Sequence, residues 1–77
     1  RRSPRKPSLD WLAKHPINPN TATTAQLQLL PGVGPVTAQK ILQDRRANGP
    51  FRSVDDLIRI DGIGEKTLKR LRPYLRM

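Results

Sequence analysis

Two glycine pairs give this sequence a chemistry that side chains alone would not: Gly32-Val33-Gly34 and Gly62-Ile63-Gly64, thirty positions apart. Glycine permits positive φ and carries no Cβ to hold a ligand away from neighbouring peptide nitrogens. A helix that starts just after such a pair leaves its first N–H groups without intrahelical acceptors. It also carries about half a positive charge at that end, which suits an anion such as a phosphate. The candidate donors are the amides of Gly34, Val36 and Thr37 and those of Gly64, Lys66 and Thr67, with the Thr37 and Thr67 hydroxyls beside them. Lys40, Lys66, Lys69 and Arg70 bring positive charge to the same places. At the tips, Val33 and Ile63 are apolar and β-branched, and read as plugs that pin each hairpin to its own helices. The candidate contact set is therefore Gly32, Val33, Gly34, Val36, Thr37 and Lys40 in the first copy. In the second it is Gly62, Ile63, Gly64, Lys66, Thr67, Lys69 and Arg70.

Other chemistry finds no candidates. His15 has no Asp, Glu or Cys at ligand spacing and reads as an exposed linker residue. Asp55 and Asp56 fall in a first helical turn, where acids stabilise the helix and need no metal. No serine or lysine pairs with a base in a nucleophile arrangement. The expectation is a binding module that is not an enzyme and holds no metal or cofactor.

The elements that must position the hairpins repeat with them. Leu27 corresponds to Leu57, Leu30 to Ile60, Thr37 to Thr67, Lys40 to Arg70 and Ile41 to Leu71, all without a gap. Thr23 with Gln26, and Ser53 with Asp56, place a cap and its partner three residues apart before each first helix. Those first helices are predicted over 24–30 and 54–60, broken by the residues before and at the glycines. Second helices start at Pro35 and Glu65, a proline suited to the first turn and an acid that complements the dipole. Ala38, Ile41 and Leu42, and Leu68, Leu71 and Leu75, supply apolar stripes toward one shared core. Asn48-Gly49-Pro50 ends the longer helix and Pro73 shortens the last. Ahead of this, residues 1–16 read as a basic, proline-rich tail or linker, with a short helix over 8–14 whose Trp11 and Leu12 dock as a latch. The domain is assigned to 17–77, with repeats at 23–48 and 53–75.

Composition fits this layout. Seventy-seven residues without cysteine provide one small domain and no disulfide framework. A formal charge of +9 and a pI near 11.5 make nucleic acid the first partner to consider and an anionic membrane surface the second. No run approaches the roughly 20 apolar residues that span a bilayer. The chain opens without Met and reads as a segment of something longer, so location is not legible in these residues.

The pattern Leu27-x-x-Leu30-x-Gly32-Val33-Gly34-x-x-x-Ala38-x-x-Ile41-Leu42 resembles the helix-hairpin-helix motif of non-sequence-specific DNA-binding proteins, and Leu57 to Leu71 is similar to a second copy. Tandem copies joined by 45–51 and preceded by 17–23 resemble the C-terminal domain of the ComEA competence proteins over residues 17–75. The resemblance implies an all-α, SAM-domain-like (HhH)2 fold of four main short helices related by a pseudo-twofold axis. It implies hairpins that contact phosphates of double-stranded DNA on opposite strands across the minor groove. It further implies a monomeric, extracytoplasmic DNA-uptake receptor that meets the membrane only through an anchor outside this segment. Leu68 departs from the usual alanine and is expected to space the second repeat's helices further apart. Asp61 and Glu65 put negative charge beside the second hairpin, against Lys66, Lys69 and Arg70. Two other readings stay open: a DNA-anchoring accessory domain of a repair or recombination protein, and a protein-docking module with an acidic partner.

Overall fold

A computed structural model describes residues 7–77; the first six residues of the basic tail lie outside the described residues. Ser8 caps the first helix, α1 (Leu9–Lys14), its hydroxyl accepting from the Trp11 N–H at 3.1 Å. Pro16 follows the helix directly, and His15 closes it by donating to the Trp11 and Leu12 carbonyls. Leu12 is completely buried in the main apolar cluster, and α1 packs on the 3-10 turn Arg72–Tyr74 near the other end of the chain. Only half of the expected latch closes. Trp11 stays 46% exposed and stacks on His15, with ring centroids 4.2 Å apart. Residue 11 lies one position from Leu12, about 100° round the helix, so both cannot face the core.

Just beyond α1 the chain is tied to its far end. Ile17 N–H donates to the Tyr74 carbonyl at 2.8 Å, and Arg76 N–H donates to the Ile17 carbonyl at 3.0 Å. These bonds form a single parallel bridge between Ile17 and Leu75, and no strand develops among the described residues. Asn20 then grips the link between the repeats. Its Nδ2 donates to the Phe51 carbonyl at 2.9 Å, and its Oδ1 accepts from the Phe51 N–H at 2.7 Å. Arg45 completes the tie, donating at 2.8 Å to the carbonyls of both Pro19 and Ala22. A turn that would otherwise leave buried carbonyls without donors is satisfied by one guanidinium.

The first repeat opens with a full capping box. Thr23 Oγ1 accepts from the Gln26 N–H, while Gln26 Oε1 accepts from the Thr23 N–H. The helix it starts, α2 (Thr24–Leu27), is one turn long and relaxes into turns before Pro31, shorter than the predicted 24–30. After the first hairpin, α3 (Pro35–Asn48) runs for 14 residues until Gly49, at φ 82°, ends it. The second repeat differs at its start. Its first helix is a 3-10 segment, Val54–Arg59, and Ser53 makes no side-chain cap. Instead Asp56 reaches back to accept from the Arg52 N–H at 2.8 Å. The expected Ser53 cap is thus replaced by one carboxylate contact, which leaves the helix start wound more tightly. The hairpin then feeds α4 (Glu65–Leu71), and Pro73 turns the chain into Arg72–Tyr74.

The two repeats share one core. Leu27 and Leu57, Leu30 and Ile60, Ala38 and Leu68, and Ile41 and Leu71 are buried in equivalent pairs, with Phe51 from the link between them. The architecture is all-α, two helix-turn-helix units closed face to face. Burying both apolar faces against each other supplies what neither short unit could supply alone.

Candidate nucleic-acid interface

Each hairpin is built by the same bonds. Leu30 N–H donates to Leu27 O at 3.1 Å and Val33 N–H to Leu30 O at 3.1 Å; Ile60 to Leu57 and Ile63 to Ile60 repeat this at 3.0 and 2.9 Å. Gly32 and Gly62 take φ of 80° and 104°, a region where an L side chain is strained, so these two positions require glycine for the fold. Gly34 and Gly64 do not. Their φ values, −96° and −92°, are ordinary extended backbone, and a Cβ built on either meets nothing within 4 Å. The positive φ that glycine permits is used at the first glycine of each hairpin and not at the second. What their missing Cβ leaves open is the space outside, over the start of the following helix.

Val33 and Ile63 are buried, and their N–H groups already donate within the hairpin. They pin the hairpins as the plugs read from the sequence, with side chains and amides both taken up inside the fold. The remaining amides are differently placed. Gly34, Val36 and Thr37, and Gly64, Lys66 and Thr67, find no acceptor among the described residues, because α3 and α4 begin with Ala38 and Leu68 donating to Gly34 and Gly64 at 2.9 Å. Gly32, Gly34, Val36, Gly62, Gly64 and Lys66 are exposed, and Thr37 and Thr67 half-buried.

The two hairpins stand side by side. A Cβ on Gly62 would come within 3.5 Å of Thr37 Oγ1, so the start of α3 abuts the second hairpin. Lys40 on α3 forms an ion pair with Asp61 at 3.3 Å, which joins the repeats along the same edge. The acid expected to weaken the second hairpin is thereby paired with the first repeat's candidate cation. Lys66, Lys69 and Arg70 are exposed and meet no carboxylate within ion-pair distance among the described residues.

Charges elsewhere have other duties. Arg59 pairs with Asp44 at 2.6 Å and lies over the Phe51 ring, 4.6 Å from its centroid. The hydrogen bond to Asp44 holds the Arg59 guanidinium above its usual pKa, against some desolvation. Arg72 pairs with Asp55, and Arg45 is committed to backbone carbonyls. Outside the hairpins, Arg46 and Arg76 are exposed and have no acidic partner among the described residues. Asn20 and Arg45, which set the frame behind the hairpins, have no motif to announce them.

This arrangement defines a class: a small all-α domain that presents two equivalent glycine hairpins, each with bare helix-start amides, on one edge. Residues 12–76 match the helix-hairpin-helix motif family, and the chain belongs to it, as a ComEA-like helix-hairpin-helix domain. It is similar to ComE operon protein 1 of Bacillus subtilis (strain 168), with 41% identity over 56 residues, 73% of this chain and 27% of that protein. It is also similar to the human endonuclease/exonuclease/phosphatase family domain-containing protein 1, with 50% identity over the same share of this chain but 10% of that protein. An uncharacterised protein of Haemophilus influenzae (strain ATCC 51907 / DSM 11121 / KW20 / Rd) is 39% identical over 57 residues, 51% of its length. The chain thus spans about a quarter of the first relative and a tenth of the second.

Proposed function

We propose that this domain binds double-stranded DNA without sequence preference, each hairpin holding a backbone phosphate on its open helix-start amides. The observation that carries this is the paired set of unpartnered amides behind Gly34 and Gly64, exposed on one edge. A phosphate oxygen accepts from such amides and is favoured by the helix dipole, whatever base is attached to the sugar. Thr37 and Thr67 add hydroxyls. Lys66, Lys69 and Arg70 add charge at the second hairpin, and Lys40 adds it at the first when it exchanges Asp61 for phosphate. Two sites related by the repeat suit the two strands that border a minor groove.

The segment works as a monomeric binding module rather than an enzyme. The catalytic words in the human relative's name describe a protein of which this chain covers only a tenth. Likeness to ComE operon protein 1 supports a place in competence-type DNA uptake outside the cytoplasmic membrane, with this domain as the DNA-holding part. A second reading rests on the 50% identity to the human protein: the same unit anchoring a larger enzyme to DNA.

Fluorescence anisotropy with unrelated duplexes across a salt series tests the proposal. If about four to six phosphates are neutralised, log K falls against log salt with a slope of roughly −4 to −5 for every sequence. A preference beyond about tenfold for one sequence, more than backbone contacts supply, contradicts it.

A further inference from the structure

The exposed Trp11 does not belong to the hairpin edge. It borders a cavity of about 270 Å³ whose walls include His15, Asn18, Gln26, Leu29 and Arg76. Its lining includes none of the residues of the two glycine hairpins, 31–34 and 61–64. Its chemistry is specific. One face of the Trp11 indole rests on the His15 ring at an interplanar angle of 24°, while the residue keeps 46% of its surface exposed. The carboxamide oxygens of Asn18 and Gln26 accept from the Asn20 and Thr23 N–H groups, which leaves both NH₂ groups as donors with no acceptor among the described residues. Arg76 is exposed and meets no acid there, because its part in the fold is made by its backbone N–H to Ile17.

We infer that this cavity is a second nucleic-acid site, which takes an unpaired base of a single strand. A half-free indole with an arginine in the same cavity wall is a stacking platform for a base, and it reaches a base face only when that base has left the duplex stack. The Arg76 guanidinium suits the adjoining phosphate, and the two amide NH₂ groups suit base carbonyls. A lipid surface is a poorer occupant, since the site is concave and offers directed donors, whereas interfacial tryptophans lie on outward apolar faces. A domain with both sites would hold a duplex at its hairpins and a loose strand at Trp11.

Trp11 is the single tryptophan of the chain, so its emission reports on the site directly. Short oligothymidylate is expected to quench it saturably, and a blunt duplex that occupies the hairpins is expected to leave it nearly unchanged. Arg76→Ala and Trp11→Ala, followed by anisotropy of labelled oligothymidylate, should each weaken binding about five- to tenfold. Circular dichroism verifies their fold, and duplex affinity should stay within about twofold, because neither residue lies at a hairpin. An equal loss from Arg46→Ala, outside the cavity, overturns the inference, as does emission that saturating oligothymidylate leaves unaltered. A blue shift on phosphatidylglycerol vesicles without quenching by the oligonucleotide also overturns it. Failure of duplex binding with quenching retained would sink the hairpin proposal and leave this one standing.

Discussion

The Lys40 ammonium lies 3.3 Å from the Asp61 carboxylate, so a candidate phosphate-binding cation of the first repeat is held by the hairpin of the second. Asp61 is 95% exposed, and a pair of this kind contributes about 0–1 kcal/mol to stability. Its larger effect is on the edge that faces an anion. Asp61→Asn removes a negative charge beside the second hairpin and frees Lys40. Duplex affinity at low salt is expected to rise about three- to tenfold, with a salt slope steeper by about one. Chemical denaturation should change by less than about 1 kcal/mol. An unchanged slope would mean that Lys40 does not reach phosphate.

The glycines of one hairpin separate folding from binding. Gly32 sits at φ 80°, so Gly32→Val strains the backbone and should lower stability by about 1–2 kcal/mol. Gly34 is extended, with nothing near its absent Cβ, so Gly34→Val should fold normally and lose duplex affinity by about tenfold or more. That loss should exceed the effect of Lys69→Ala, because the valine covers the amides themselves. Titrations of the three variants beside thermal melts read both quantities. Equal losses from Gly34→Val and Lys69→Ala would contradict amide binding.

Arg45 has the charge of a DNA contact and the position of a brace. Its guanidinium donates to Pro19 and Ala22, and Arg45→Ala leaves two part-buried carbonyls without donors. A loss of about 1–3 kcal/mol in urea unfolding is expected. Duplex affinity of the folded fraction should remain within about twofold.

Much of this was legible in the sequence, and what was not has a common cause. The thirty-residue repeat, the buried Val33 and Ile63 and the Thr23 capping box all leave local patterns, a matched spacing or an apolar residue where a turn should be polar. The bonds from Asn20 to Phe51 and from Arg45 to Pro19 span 31 and 26 residues, and no periodicity marks a single polar side chain that meets a distant carbonyl. Lys40 with Asp61 is hidden for the same reason. Ser53 misled differently. It has the type and spacing of a cap, yet Asp56 reaches the Arg52 N–H and the turn tightens to 3-10. Both Gly34 and Gly64 read as turn glycines, although only their partners Gly32 and Gly62 need the left-handed region.

The placement of α1 is tested by its two large apolar residues. Leu12 is fully buried, so Leu12→Ala should lower the unfolding free energy by about 2–4 kcal/mol. Trp11→Ala removes a half-exposed ring and one stacking contact worth about 0.5–1.5 kcal/mol beyond its buried area, and should cost less than Leu12→Ala. Equal and small effects would mean that α1 is not part of the cooperative unit.

A ¹H–¹⁵N correlation spectrum recorded as duplex DNA is added observes the hairpin peptide nitrogens one by one. The amides of Gly34, Val36, Thr37, Gly64, Lys66 and Thr67 are expected to shift most, and by the same pattern for two unrelated sequences. Those of Val33 and Ile63, already bonded within the hairpins, should move least. Shifts concentrated around Arg46 or α1, with the six hairpin amides unmoved at saturation, would contradict phosphate binding at the hairpins.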